Sequence, residues 1–302
     1  MNAASLQTEH GSAEFAGIDT WDDFAILSAL VEGQRRSVYA VRKALPMIAI
    51  AADATAKRLA AGGRLIYAGA GTSIRIAVQD GSELPATFGM VEDKLVYLIA
   101  GGRTAMFETL AGAEDDAAEG SNAVAAAQCT PGDVLIAVAA SGTTPYTVAA
   151  AKRARELGAL VIAVVNNPAT PLASAAEHAI FLDTGPEVIA GSTRMGAGTA
   201  QKAALNLLST LAHIKLGAVH DGMMVAVKAD NLKLKKRARG IVARITGAGE
   251  DTAAAALEAT RGDVKPAVLI CAGAISPAAA RELLALTQGN LRRALARIAA
   301  SQ

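Results

Sequence analysis

Two hydroxyl side chains that follow a glycine mark the first stretch of the chain suited to binding an anion. Residues 64–89 read RLIYAGAGTSIRIAVQDGSELPATFG: an apolar run, then Thr72 and Ser73, then a helical pattern that stops near Pro85. A strand, a Gly/hydroxyl turn and a helix N-terminus bind anions because free N–H groups converge there and the helix dipole favours negative charge. Glu83 adds a carboxylate near the end of the segment. An ordinary turn with a Ser or Thr helix cap fits the stretch equally well.

The same arrangement recurs twice further along the chain. The apolar run 134–139 leads into a hydroxyl loop before Pro145, a residue that suits the first turn of a helix. A third loop, within 185–194, precedes another helical pattern. Together the loops supply the candidate phosphate ligands Thr72, Ser73, Ser141, Thr143, Thr144, Ser192, Thr193 and Arg194. Three such loops on one sheet predict a single pocket for a phosphate and sugar hydroxyls that needs no metal or cofactor.

Other kinds of site do not match these loops. The chain has no Walker spacing, and Gly69-Ala70-Gly71 lacks the third glycine and the later acidic residue of a dinucleotide site. Ser141 is not in a GxSxG elbow, so we interpret it as a phosphate ligand and not as a nucleophile. The four histidines have no mutual spacing for a metal site or a catalytic triad, although His213 or His220 is a candidate for assisting ring opening.

Short apolar runs separated by helical patterns predict the elements that position these loops. The runs are rich in Val, Ile and Leu and lack polar alternation, which is typical of strands buried on both faces of a parallel sheet. They are Leu65–Ala68, Leu95–Ile99, Val134–Ala139, Leu160–Val165 and Ala179–Leu182. Right-handed crossovers then give an α/β fold with a five-stranded, parallel, doubly wound sheet, whose ligands bind at the carboxyl ends of the strands.

The sequence on either side of the sheet predicts helices. After an irregular arm over residues 1–20, a helix capped by Asp19 or Thr20 begins, with a break expected near Pro46. A long apolar helix is predicted over 198–216. The basic segment 228–244 is best explained as a solvated helix face, because only one helix carries it. Three or four short helices follow, with a run at 268–271 that also fits a strand.

Composition excludes several classes of partner. The 29 basic and 28 acidic residues of the 302 nearly cancel, and only 3% of residues are aromatic, which argues against nucleic acid. No apolar stretch has the length of a membrane helix, and the N-terminus lacks the pattern of a signal peptide. Cys129 and Cys271 lie far apart in apolar surroundings. We therefore expect a soluble cytoplasmic protein with unpaired thiols.

Several segments resemble one family. They are GRLIYAGAGTS, DGSELPATFG, AGAEDD, ASGTTPY and, above all, GPEVIAGSTRMGAGTAQKAALNLLST at 185–210. These segments are similar to the N-acetylmuramic acid 6-phosphate etherases of the sugar isomerase (SIS) superfamily, and the resemblance extends from about Thr8 to the C-terminus. It implies an N-terminal arm and helices over 1–50, a SIS domain over 51–217, and a helical, UBA-like region over 218–302. It also implies a homodimer.

The resemblance further implies a reaction on a phosphorylated amino sugar that carries a D-lactyl ether on C3. Elimination and water addition would give N-acetylglucosamine 6-phosphate and D-lactate. Matching the motifs places the catalytic carboxylates at Glu83 and Glu114. We assign Glu83 as the acid that protonates lactate and Glu114 as the base at C2, and the reverse assignment remains open. Asp115 and Asp116 are interpreted as part of a solvated face.

The chain departs from the family pattern at several positions. Ile74 stands where the family usually has Gly, Ala111 where it has Glu, Thr143 where it has Arg, and Gly196 where it has Lys. Arg194 and Lys202 remain as partners for the phosphate or the lactyl carboxylate. Two alternative hypotheses would use the same pocket. In one, the protein is a sugar-phosphate sensor that controls a partner protein, and in the other it is an aldose–ketose isomerase. Retention of both glutamates favours the etherase, because binding a phosphate requires neither.

Overall fold

The structure is a computed structural model that describes residues 6–108, 110–227, 229, 232–273 and 276–300. Two compact units make up the chain: Met1–Gly81 with Asp93–Leu211, and Ser82–Glu92 with Ala212–Gln302. The division predicted at residues 50/51 and 217/218 stays a prediction. No helix among the described residues has the length and apolar character needed to cross a membrane.

The first unit contains the predicted parallel sheet. Its strands are β1 (Leu65–Gly69), β2 (Leu95–Ile99), β3 (Val134–Val138), β4 (Leu160–Val165) and β5 (His178–Phe181). They are ordered β2-β1-β3-β4-β5, and all neighbouring strands are parallel. The α/β prediction is therefore confirmed, with each strand end within one residue of its expected position. Strands β1, β3 and β4 are buried throughout because helices cover both faces of the sheet.

The helices around the sheet continue the alternating pattern. They are α1 (Asp23–Ala60), α2 (Gly71–Phe88), α3 (Ala117–Ala126), α4 (Pro145–Glu156), α5 (Pro171–Ala175) and α6 (Gly196–Lys215). Strand order reverses between β1 and β3, since the chain leaves β1 toward one edge and β3 toward the other. Such a switch point opens a crevice at the carboxyl ends of the two strands, where α/β sheets bind ligands.

Helix α1 corrects two expectations. It begins later than predicted, with Asp22 as its cap, because the Asp22 carboxylate accepts a hydrogen bond from Ala25 N at 2.9 Å. It also continues through Pro46 for 38 residues without a break. A row of buried residues at four-residue spacing crosses the proline: Ala40, Ala44, Ile48, Ala52 and Ala56. We attribute the continuity to this packing, because its stabilisation outweighs the loss of the one backbone hydrogen bond that proline cannot donate. Helix α2 likewise extends three residues past Pro85, where a stop was expected.

The amino ends of β1 and β3 are joined by a buried ion pair. The Asp133 carboxylate accepts hydrogen bonds from the backbone N–H and the guanidinium of Arg64 and from Thr130 N, at 2.7 to 2.9 Å. Burial opposes its ionisation, but these donors, the Arg64 guanidinium first among them, lower the pKa of Asp133 to about 2. The side chain of Asp133 is 2% exposed. This edge of the sheet is therefore fixed by a saturated carboxylate.

The second unit is mainly helical, as predicted. A short hairpin, β6 (Val219–His220) with β7 (Met223–Met224), precedes α7 (Leu232–Thr246), α8 (Glu250–Ala259), α9 (Val264–Cys271), α10 (Pro277–Leu286) and α11 (Leu291–Ala299). The run that also fitted a strand is thus the end of a helix. Helix α7 buries Ala238, Ile241 and Val242 and exposes its basic side chains, so the solvated-face interpretation is confirmed for the described residues.

Candidate functional site

The loop after β1 turns directly into α2. Gly69 is required at the turn, because a Cβ there would lie 2.8 Å from the carbonyl oxygen of Val138. Gly71 has a φ of 53°, in the left-handed region that favours glycine. Thr72 and Ser73 then occupy the first turn of the helix, where the backbone N–H groups have no partner within the helix. This end of α2 therefore offers N–H and hydroxyl donors at the carboxyl end of β1.

The loop after β3 is built in the same way. Gly142 has a φ of 66° and packs so closely on Thr170 that a Cβ would lie 2.3 Å from its hydroxyl oxygen. The Ser141 hydroxyl oxygen accepts a hydrogen bond from Thr143 N at 3.2 Å and lies 3.5 Å from the Thr144 hydroxyl. The Thr144 side chain makes no capping bond to α4. The hydroxyl groups and the first N–H groups of α4 are thus placed to donate to an anion.

These two loops border one cavity of about 350 Å³. It is lined by Glu9, Ala70, Gly71, Thr72, Ser73, Glu114, Asp115, Ala139, Ala140, Ser141, Thr143, Thr144, Pro145 and Thr193. Hydroxyl and backbone donors come from the loops, and three carboxylates come from elsewhere in the unit. No Lys, Arg or His is among these lining residues. A cavity of this kind binds an anion through neutral donors and can still carry out acid–base chemistry.

Most of the predicted site residues meet at this cavity. Thr72, Ser73, Ser141, Thr143, Thr144, Thr193 and Glu114 all line it. Ser192 and Arg194 flank Thr193 in the third loop but are not lining residues, and Arg194 is exposed. Glu83 is exposed and lies in the last part of α2, which groups with the second unit. The structure therefore brings one of the two predicted catalytic carboxylates into the cavity of the first unit.

The structure corrects the sequence interpretation of three acidic residues near the site. Asp115 lines the cavity and is not merely part of a solvated face. Asp116 is the cap of α3, since its carboxylate accepts from Glu119 N at 2.8 Å. An Asp followed three residues later by a Glu in the first turn is a capping signal from which Asp116 could have been identified. Glu9 lines the cavity from the N-terminal arm, and it was not among the predicted site residues.

A buried carboxylate fixes the third loop. The two carboxylate oxygens of Glu187 accept hydrogen bonds from Gly196 N and Ala197 N, both at 2.8 Å. Glu187 is 4% exposed, and it caps the N-terminus of α6, where a negative charge is favoured by the helix dipole. A Cβ on Gly196 would lie 2.8 Å from one of these oxygens. Glycine at this position, where the family usually has lysine, therefore suits the cap.

The other departures from the family pattern have different consequences. Ile74 is 1% exposed and packs beside Gly69, so it changes the interior and not the charge of the cavity. Ala111 is exposed and is not a lining residue. Thr143 does line the cavity, so the chain has a hydroxyl there where the resemblance predicts an arginine. Arg75 donates to the Ala105 carbonyl at 2.9 Å and does not line the cavity.

Lys202 belongs to a polar network and not to the cavity lining. Its ammonium donates to the amide oxygen of Asn206, whose amide nitrogen donates to the buried Asp80 carboxylate. The Tyr67 hydroxyl also donates to Asp80, at 2.8 Å. Complete burial, reinforced by the Asp80 charge, raises the pKa of Tyr67 well above its ordinary value. This network joins α2, α6 and β1.

The histidines suggested for ring opening lie in the second unit. His213 stacks on Phe88 with a centroid distance of 4.7 Å, and His220 lies 3.4 Å from the Asp221 carboxylate. Burial lowers the pKa of His220, although Asp221 opposes the shift. Within the described residues, no group of three or more His, Cys, Asp or Glu side chains is arranged to hold a metal ion.

Comparison with known proteins identifies the class of this fold and site. Residues 104–211 match the family model of the SIS domain. Residues 47–154 match the model of the glucokinase regulatory protein N-terminal SIS domain. The five-stranded parallel sheet with its hydroxyl loops is therefore that of a SIS-domain protein.

Curated relatives define the family within this class. The chain is 45% identical to an N-acetylmuramic acid 6-phosphate etherase of Deinococcus radiodurans, over 96% of this chain and 95% of that protein. It is 49% identical to the protein of that name from Symbiobacterium thermophilum, over 89% of each chain. It is 46% identical to the one from Streptomyces coelicolor, over 97% of this chain and 94% of the relative. The chain belongs to the N-acetylmuramic acid 6-phosphate etherase family.

Proposed function

We propose that this protein is a carbon–oxygen lyase that cleaves the D-lactyl ether of N-acetylmuramic acid 6-phosphate. The observation that carries the proposal is the cavity of the first unit, in which Glu114 faces the same space as the donors of two anion-binding loops. The phosphate is held by the Ser141 and Thr144 hydroxyls and by the N–H groups at the start of α2 and α4. The family relationship supports the identity of the sugar.

The chemistry follows from the open form of the sugar, in which C1 is an aldehyde. The C2 proton is acidic because its removal gives an enolate, and the C3 oxygen then leaves with a proton as D-lactate. Water adds to C3 of the unsaturated aldehyde, and a proton returns to C2, which yields N-acetylglucosamine 6-phosphate. One group must remove the C2 proton and another must protonate the departing oxygen.

Two carboxylates supply these groups in the proposed mechanism. Glu114 is the base at C2, which its place in the cavity supports. Glu83 is the acid that protonates lactate and later activates water, which the family motif DGSELPATFG supports. The phosphate ligands are Thr72, Ser73, Ser141, Thr143, Thr144, Ser192, Thr193 and Arg194, of which six line the cavity.

Incubation of the purified protein with N-acetylmuramic acid 6-phosphate tests the proposal. We expect equal amounts of D-lactate and N-acetylglucosamine 6-phosphate. A sugar-phosphate sensor would bind the substrate without releasing lactate. An aldose–ketose isomerase would release no lactate and would instead convert a 2-hydroxy aldose phosphate, such as glucose 6-phosphate, into its ketose. Either result would overturn the etherase proposal.

Solvent exchange at C2 tests the roles of the two carboxylates. If Glu114 is the base, Glu83→Gln abolishes lactate release while exchange of the C2 hydrogen with deuterium from the solvent persists. Glu114→Gln then loses both reactions. Exchange that persists in Glu114→Gln and disappears in Glu83→Gln would reverse the two assignments.

We further propose a homodimer, which the family resemblance implies and which the surface of α1 supports better than that of α6. Most apolar side chains of α6 are already buried in the chain. Helix α1 instead exposes an apolar stripe, defined by Phe24, Leu27, Val31, Val38 and Leu45, with exposures of 45% to 81%. Its spacing of three, four, seven and seven residues follows a heptad repeat, which pairs helices side by side. A second copy of the chain carries a matching stripe.

Sedimentation of the protein with and without charges in the stripe tests the dimer. We expect Val31→Glu to shift the protein toward the monomer. Ile50→Glu is the matched control, because Ile50 is equally apolar and 51% exposed on the same helix but lies off the stripe. A monomer before substitution, or equal dissociation by both variants, contradicts this interface.

We also propose a cytoplasmic location, which the two free thiols support.

A further inference from the structure

The N-terminal arm places a third carboxylate, Glu9, in the cavity. Glu9 ends the short helical turn Gln7–Glu9, and its carboxylate lies beside Gly191, 3.0 Å from the position of a Cβ there. We propose that Glu9 is a specificity-determining residue that accepts a hydrogen bond from a hydroxyl or the amide N–H of the bound amino sugar. The inference rests on the proposed function, because it assigns a role toward the same substrate.

Thr8, the residue before Glu9, is linked to two of the three loops: directly to the third, and through Asn167 to the second. Thr8 is fully buried, and its hydroxyl oxygen accepts from the amide nitrogen of Asn167 at 3.1 Å. The same Asn167 nitrogen donates to the carbonyl of Ala140, a residue of the second loop, at 2.9 Å. The Thr8 carbonyl accepts from Gly191 N, in the third loop, at 3.1 Å. The arm is therefore part of the wall of the cavity.

Two further contacts fix the path of the arm independently of the Glu9 side chain. Leu6 is 5% exposed, and the Gln7 amide donates to the Asn166 carbonyl at 2.8 Å. Within the part of the chain that the structure describes, no hydrogen bond or ion pair occupies the Glu9 carboxylate. The arm thus holds Glu9 at the cavity with its acceptor oxygens available.

The charges around the cavity indicate which part of the ligand Glu9 contacts. Glu9, Glu114 and Asp115 are its three acidic lining residues, and the lining has no basic side chain to offset them. A phosphate dianion is repelled by carboxylates, so it binds at the hydroxyl and N–H donors of the loops. An ionised carboxylate only accepts hydrogen bonds, and the donors that remain on the ligand are sugar hydroxyls and the amide N–H. Glu9 therefore contacts the sugar and not the phosphate.

Calorimetric titration with two ligands tests this assignment. Glu9→Gln should raise the Kd of N-acetylglucosamine 6-phosphate at least about tenfold, as expected when a charged hydrogen bond is lost. The Kd of inorganic phosphate should stay the same or fall, because a nearby negative charge is removed. Glu14→Gln is the matched control. Glu14 lies in the same arm but pairs with Arg36 and does not line the cavity.

Three results would contradict this role of Glu9. If Glu9→Gln raises the Kd of both ligands to the same extent, the arm acts only through the structure of the loops. If the Kd of the sugar phosphate is unchanged in Glu9→Gln, Glu9 does not contact it. The assignment is also overturned if the protein without the substitution binds no amino-sugar phosphate. Because these are binding measurements, they remain decisive if the protein releases no lactate, so failure of the etherase proposal is recognised separately.

Discussion

The sheet has two edges formed by strand ends, one by the amino ends and one by the carboxyl ends, and acidic side chains at these two edges have opposite environments. At the amino ends of β1 and β3, the Asp133 carboxylate is buried and accepts hydrogen bonds from Arg64 and Thr130. At the carboxyl ends, Glu9 and Glu114 are exposed and line the cavity. A saturated carboxylate stabilises the fold, whereas an available one can accept protons or bind a ligand. Substitutions at the two edges should therefore separate stability from activity.

The largest expected effect is at the carboxyl edge. Glu114→Gln should lower the rate of lactate release by about a thousandfold, because general acid–base catalysis contributes roughly 10²–10⁴. Its melting temperature should stay close to that of the unaltered protein, because the side chain is exposed. A coupled lactate assay and thermal unfolding measure the two quantities. Loss of stability together with activity would contradict the division between the edges.

Removing a phosphate ligand should have a smaller effect at the same edge. Ser141→Ala should lower kcat/KM by about ten- to a hundredfold, since one hydrogen bond to a charged group is lost. Steady-state kinetics measures this change. Ser174→Ala is the matched control, because Ser174 is exposed and donates to the Thr170 carbonyl outside the cavity lining. Equal kinetics for Ser141→Ala and the control would remove the second loop from the phosphate site.

At the amino edge, Asp133→Asn should reduce the free energy of unfolding by about 2–3 kcal/mol at pH 7, with kcat nearly unchanged. The folded-state pKa of Asp133, about 2, lies below the ordinary value of about 3.9. This contribution is therefore complete above about pH 4 and disappears as the pH falls toward 2. Urea unfolding at several pH values measures it.

Asp93→Asn is the control for that series, because Asp93 is exposed. The difference between Asp133→Asn and the unaltered protein should shrink on acidification. A difference that persists undiminished near pH 2 would mean that the carboxylate is not ionised by its partners in the fold. A large loss of kcat would show that this edge also contributes to catalysis.

The sequence predicted the sheet and much of the cavity because both depend on local patterns. Unbroken apolar runs located all five strands, and the hydroxyl loops that end β1 and β3 line the cavity as expected. The continuous α1 was missed because proline predicts a break, whereas a buried face on both sides of Pro46 is a tertiary property. Glu9 was missed for the same reason: contacts with residues more than 150 positions away bring the arm to the cavity.

The oxygen balance of the reaction tests the central claim most directly. In water labelled with ¹⁸O, elimination followed by hydration breaks the bond between C3 and the ether oxygen. Mass spectrometry should therefore find the label on C3 of N-acetylglucosamine 6-phosphate and none in the hydroxyl of D-lactate. Label in that hydroxyl would mean that the lactyl side of the ether is attacked instead, and it would contradict elimination across C2 and C3.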